Sequence, residues 1–186
     1  MNRMFLITYV IWMFSEIWLN RMMRSNKSDL QDSDRFTLLG IWLTIVTSIF
    51  LAVWASFGLN HLISGNAWLQ YVGLVLVWSG VIARMLVIRS MGRFFTVDVT
   101  IRPDHKLKTD GFFRFVRHPS YLASLVSFLG FGISLNNWFS LAIVVVPVFC
   151  AFLIRIGVEE RVLLEQFGAA YSDYQGKTKR IIPFVF

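Results

Sequence analysis

The sequence predicts an all-α integral membrane protein with five transmembrane helices. Three observations carry this. Of the 186 residues, 56% are hydrophobic, and the mean hydropathy is +0.60. Only 16% are charged, against about 25% in ordinary globular domains. Those charges fall between long apolar runs that show no period-two alternation, the pattern of helical spans and not of a barrel.

The first run, residues 4–19, sits near the short end of the roughly 17–25 residues a spanning helix needs. Arg3 ahead of it imitates a signal peptide, but Ser15-Glu16-Ile17-Trp18-Leu19 offers no small-residue cleavage site, so it is expected to stay as a span. A polar link over 20–35 holds Arg21, Arg24, Lys27 and Arg35 with Asp29, Asp32 and Asp34. Residues 36–57 form the second span. The loop at 58–67 is turn-rich (Gly58, Asn60, Gly65, Asn66) and lacks Lys and Arg. The third span, 68–88, is interrupted by Arg84, with which Glu16 of the first span could pair. After the polar stretch 89–120, two apolar runs at 119–135 and 138–155 flank the turn Asn136-Asn137 and make a hairpin of the fourth and fifth spans. The third and fifth runs are expected to continue past the lipid. Beyond Ile154, Ile156, Val158, Val162, Leu163 and Phe167 mix with Arg155, Glu159, Glu160, Arg161 and Glu165, an amphipathic helix that Gly168 can end.

Net charge of +7 would suit a nucleic-acid binder, but the basic residues lie in short segments beside apolar runs and read as topology determinants. They occupy the link after the first span, the stretch after the third and the C-terminal segment. Alternation then puts the N-terminus outside and the C-terminus in the cytoplasm. No metal site is expected. Cys150 is the single cysteine, and His61, His105 and His118 lack metal-ligand spacing. The residues up to 88 read mostly as lipid-facing scaffold.

The arranged polar groups follow. Arg117-His118-Pro119 cannot be a comfortable helix interior, because proline disfavours helical geometry just before it and fits the first turn of the next helix. His118 is thereby held at a helix mouth, where free N–H groups favour an anion. Gly111 supplies a turn, and Phe112, Phe113 and Phe115 could pack on a planar ring. Arg155 and Glu159, four residues apart, share a helix face. The bland readings are headgroup anchoring and a solvated ion pair. Against them, ionisable residues bordering a membrane core tend to face protein or a water-filled cavity. The segment from Phe167 through Tyr171 and Tyr174 to Lys177, Lys179, Arg180 and Pro183 could cover such a pocket or bind headgroups.

The ordered pattern His105-x-Leu107-x-x-x-Gly111-x-Phe113-x-x-x-Arg117-His118-Pro119-Ser120-Tyr121, then Arg155-x-x-x-Glu159-Glu160-x-x-Leu163-x-x-x-Phe167-Gly168-x-x-Tyr171-x-x-Tyr174, resembles the isoprenylcysteine carboxyl methyltransferase family. The resemblance covers residues 94–183 and, with the five-span length, points to the short prokaryotic members. It implies a single membrane methyltransferase domain over 1–186. S-adenosylmethionine would be bound in a cytoplasmic pocket of the C-terminal half by His105, Lys106, Leu107, Lys108, Phe113, His118, Pro119, Ser120, Tyr121 and Glu159. Arg155 would hold the acceptor, and Arg155 and Glu159 would be the catalytic pair. Phe113 replaces the usual tyrosine, and Lys108 stands where an aliphatic residue is common. The implied partners are membrane lipids and a lipophilic or lipidated acceptor, with no nucleic acid, and the implied location is the prokaryotic cytoplasmic membrane. Phospholipid amine methylation, NADPH-dependent reduction (sterol reductases carry a similar Arg-His-Pro segment) and non-catalytic lipid binding are the competing readings.

Overall fold

The computed structural model describes residues 3–22, 34–59, 61–92 and 107–183. These form α1 (Arg3–Met22), α2 (Asp34–Gly58), α3 (Trp68–Met91), α4 (Pro119–Ser134), α5 (Trp138–Phe167) and α6 (Ala169–Lys177), with a 3-10 turn at Gly111–Arg114. Among the described residues β-pairing is confined to two isolated bridges. Three helices, Thr37–Gly58, Trp68–Met91 and Trp138–Phe167, are long and apolar enough to cross a membrane; Pro119–Ser134 is apolar but shorter. The protein is an all-α integral membrane protein.

Small residues decide how closely α3 and α4 approach. A Cβ built on Gly73 would stand 2.5 Å from the Gly130 carbonyl oxygen, and one on Gly80 would stand 2.6 Å from that of Ala123. Alanine at either place would therefore push backbones apart. In lipid, where apolar burial gives no drive for association, such close backbone packing is what joins helices. Near the end of this seam, Arg84 Nη1 lies 3.0 Å from Glu16 Oε2 on α1 and donates to Ser124 Oγ on α4. The pairing of Glu16 with Arg84, open from sequence, is thus made. Trp12, Phe128, Phe131 and Phe152 fill the centre together with Val144 and Val148.

The two ends of the bundle differ. At one, the Asn137 side chain accepts from the Ser140 N–H at 3.0 Å and donates to the Leu59 carbonyl at 2.6 Å, tying the α2–α3 loop to the α4–α5 turn. At the other, the ends of α3 and α5 and the start of α4 meet α6. Both α3 and α5 extend beyond their apolar cores, as expected. Gly168 ends α5 with φ of 52°, a conformation that costs glycine little. Pro119 opens α4 in its first turn, and His118 is the residue before it.

Besides serving as scaffold, the amino-terminal half reaches the polar end of the bundle at two residues. Thr37 of α2 bonds Arg155, and Val87 of α3 packs with Phe113, Tyr171 and Tyr174. Tertiary packing decides this, because nothing in the local sequence of either run marks which helix these residues face.

Candidate active site

The site is assembled from the two segments that flank α4 and α6. Residues 115–118 run beside residues 179–180: the Arg117 N–H donates to the Lys179 carbonyl at 2.8 Å and the His118 N–H to that of Arg180 at 3.1 Å. Pro119 frees His118 from helical geometry, so its backbone can make this pairing. The C-terminal segment therefore covers the polar island, and Ile181 is fully buried beneath it.

Glu160 ties this layer to α5. Its Oε1 accepts from Arg117 Nε at 2.8 Å, and its Oε2 accepts from Arg180 Nε at 2.9 Å, with Arg180 Nη2 at 2.7 Å. Arg117 also donates to the carbonyls of Gln175 and Thr178. With its side chain 6% exposed, Glu160 is a buried carboxylate balanced by two guanidinium groups.

His118 lies between both carboxylates, with Nδ1 3.5 Å from Glu159 Oε2 and Nε2 3.4 Å from Glu160 Oε1. Glu159 Oε1 accepts from the Tyr121 hydroxyl and lies 3.4 Å from Arg155 Nε. Arg155, 2% exposed, donates through Nε to Tyr121 Oη at 3.2 Å and through Nη1 to Thr37 Oγ1 at 2.8 Å. His118, Tyr121, Glu159 and Arg155 thus form one connected polar row.

Of the other residues singled out from sequence, Phe113 is buried and Leu107 packs against the same small cluster. Pro119 is buried, and the Ser120 carbonyl accepts from Ser124 Oγ at 3.2 Å. Lys108 pairs with Asp110 at 3.0 Å on the surface. His105 and Lys106 lie outside the described residues. Phe112 and Phe115, expected with Phe113 to offer a ring surface, are exposed instead. A short turn has room for one inward-facing aromatic, and Phe113 takes it. Sequence reasoning missed Thr37 as a partner of the site, and it singled out Arg117, Glu160 and Arg180 without their pairing with one another. Glu160 had a signal in its position beside Glu159; Thr37 had none.

Burial alone would push the His118 pKa down, but hydrogen bonds and charge from Glu159 and Glu160 outweigh it and hold the imidazole above the ordinary histidine value. A raised folded-state pKa contributes stability that is fully present below the unfolded value of about 6.5 and is lost as pH rises through the folded value. Melting temperature in detergent should therefore fall as pH is raised from about 6 to about 9, and His118→Gln should flatten that slope. An unchanged slope in the variant would assign the pH dependence to other groups.

Together these features define a helical membrane protein with a largely buried polar cluster at one end of its apolar bundle. A family model described as phospholipid methyltransferase matches residues 68–170. The chain belongs to that family. It is 36% identical over 120 residues to protein-S-isoprenylcysteine O-methyltransferase B of Arabidopsis thaliana, covering 63% of this chain and 61% of that one. To protein-S-isoprenylcysteine O-methyltransferase of Saccharomyces cerevisiae it is 34% identical over 116 residues, covering 61% of this chain and 48% of that one. A solved structure of a eukaryotic intramembrane Ras methyltransferase, isoprenylcysteine carboxyl methyltransferase, superposes with a TM-score of 0.60 at 28% identity, covering 81% of this chain and 52% of that one. The chain thus spans about half to three-fifths of the length of these relatives.

Proposed function

We propose that the protein is an S-adenosylmethionine-dependent methyltransferase that esterifies the carboxylate of a lipophilic, isoprenylcysteine-like acceptor at the membrane. The observation that carries this is the row His118–Glu159–Tyr121–Arg155. It sets a fixed cation beside a fixed carboxylate at the end of an apolar bundle. The names of the relatives support the same chemistry.

The donor set fits the cofactor. Glu159 keeps 21% of its side chain exposed, against 6% for Glu160, which makes it the more accessible carboxylate of the pair. Phe113 and Leu107, in the small apolar cluster with Val87, Tyr171 and Tyr174, would supply an apolar wall. Those residues and the first turn of α4, His118 to Tyr121, would hold the cofactor, with His105, Lys106 and Lys108 as further contacts. When bound, the cofactor supplies an electrophilic methyl group on a sulfonium.

The residues' own work is positioning and electrostatics. Arg155 offers a planar fork suited to a carboxylate, and Thr37 and Tyr121 fix its orientation. A carboxylate acceptor is already ionised near neutral pH, so no general base is required. His118 at Oε2 and Tyr121 at Oε1 hold Glu159 in place beside Arg155. An amine acceptor would instead need a base, and both glutamates are already engaged by cations. That engagement favours the carboxylate reading.

A lipophilic acceptor would arrive between α2 and α5. A cleft of about 370 Å³ lies on that seam, lined by Leu43, Thr44, Thr47, Ser48, Leu51, Ile143 and Pro147. Arg155 and Thr37 occupy the same seam nearer the site. In this reading α1 and α4 complete five spans, the N-terminus lies outside, and the site opens to the cytoplasm of a prokaryotic cell as one domain with its catalytic part at 94–183.

The test is calorimetry of the purified protein with S-adenosylhomocysteine and with NADPH, then a transfer assay with labelled S-adenosylmethionine and an isoprenylcysteine analogue. S-adenosylhomocysteine should bind and the analogue should be esterified. Failure to bind it, or tight NADPH binding, would sink the proposal. Transfer only to phospholipid amines would move it to the competing chemistry.

A further inference from the structure

Tyr171 is a buried hydroxyl with nothing to do. Its side chain is 1% exposed, and its oxygen finds no hydrogen-bond partner among the described residues. Its neighbour Tyr174 shows the alternative, donating to the Phe113 carbonyl at 2.6 Å. An unpaired buried hydroxyl forfeits a hydration that folding has not replaced. Native structures seldom keep such a group without a ligand or ordered water to meet it.

The surroundings indicate which. Tyr171 lies in the first turn of α6, packed against Val87, Phe113 and Tyr174, with Leu107 beside them. Phe113 and Leu107 are the apolar wall assigned above to the cofactor. The charges acting on the hydroxyl come from Glu160 and Glu159 on α5, Arg117 ahead of α4 and Tyr174 on its own helix. Burial first, and then the field of Glu160, raise its pKa, so it stays a proton donor at any physiological pH. With two carboxylates already nearby, a third on the ligand would be repelled. A neutral acceptor suits the position, and the nucleoside half of S-adenosylmethionine carries ring nitrogens and ribose oxygens of that kind.

We propose that the Tyr171 hydroxyl is a cofactor-binding group, donating a hydrogen bond to a neutral acceptor atom of the methyl donor. This rests on the methyltransferase reading above. It gives α6 a binding role besides that of a cover.

Removing one hydroxyl tests it, because Tyr171→Phe keeps the ring and its packing. Calorimetry with S-adenosylhomocysteine should show affinity weakened about tenfold, the usual size for one buried hydrogen bond to a ligand. The melting temperature of the ligand-free protein should stay the same or rise, since an unpaired polar atom is lost. Tyr174→Phe is the contrast: it strips the Phe113 carbonyl of its donor and should lower the ligand-free melting temperature. Unchanged affinity in Tyr171→Phe overturns the proposal. A fall in its ligand-free melting temperature with affinity intact would instead make the hydroxyl a structural, water-bonded group and also overturn it. Wild-type protein that fails to bind S-adenosylhomocysteine would sink the methyltransferase reading itself, a result separate from either.

Discussion

Glu159→Ala should abolish S-adenosylhomocysteine binding, whereas Arg155→Ala should leave that binding within about threefold and reduce methyl transfer by at least about a hundredfold. The division follows from the geometry. Glu159 meets His118 through Oε2 and both Tyr121 and Arg155 through Oε1. Deleting its carboxylate empties the anionic side of the expected cofactor site and leaves the imidazole and guanidinium groups facing each other. Deleting Arg155 still leaves Glu159 bonded to Tyr121 and beside His118, so the cofactor side survives. The acceptor side does not, because Arg155 is the buried cation shared with Thr37. Calorimetry and single-turnover transfer separate the two effects. Equal loss of cofactor affinity in both variants would contradict the assignment.

The largest stability effect should come from Glu160→Gln, which is expected to cost about 3–5 kcal/mol, the range for breaking a buried ion pair from one side. Arg117, Arg180 and His118 all converge on this carboxylate. A neutral amide can accept a hydrogen bond but cannot balance two guanidinium groups, and its NH2 would confront them as another donor. Because the same contacts fasten the C-terminal segment over the polar island, the variant should also become sensitive to limited proteolysis near residues 178–181. Thermal unfolding in detergent measures the first effect and mass spectrometry of the digest the second. Asp110→Asn, which breaks only the exposed Lys108–Asp110 pair, is the control and should melt like wild type. A Glu160→Gln protein that matched this control would show that the clamp contributes nothing.

Much of the fold was readable because lipid imposes severe rules. Backbone groups must be satisfied within each span, so a long apolar run has one conformation available. That reasoning placed the five long helices to within a few residues but missed α6, and Pro119 and Gly168 marked a start and a stop through backbone geometry alone. The pairing of Arg155 with Glu159 followed from their spacing on one helix. Periodicity within a run says nothing about which run lies beside it. The close approach of Gly73 and Gly80 to α4, and with it the reach of Arg84 to both Glu16 and Ser124, depended on how α3 and α4 pack.

By itself, then, the sequence determined an all-α membrane chain, the approximate bounds of its five long helices but not α6, and a motif pattern in the C-terminal half that resembles a methyltransferase. Only the tertiary structure decided that His118 meets Glu159, that Glu160 and not Glu159 anchors the C-terminal segment, and that Thr37 on the second helix holds Arg155. It also decided that Phe113 turns inward while Phe112 and Phe115 do not, and that Tyr171 is buried without a partner. The physical reason is that local rules act over one helical turn. Arg155 reaches Tyr121 34 positions away and Thr37 118 positions away, and only packing of separate helices brings them together.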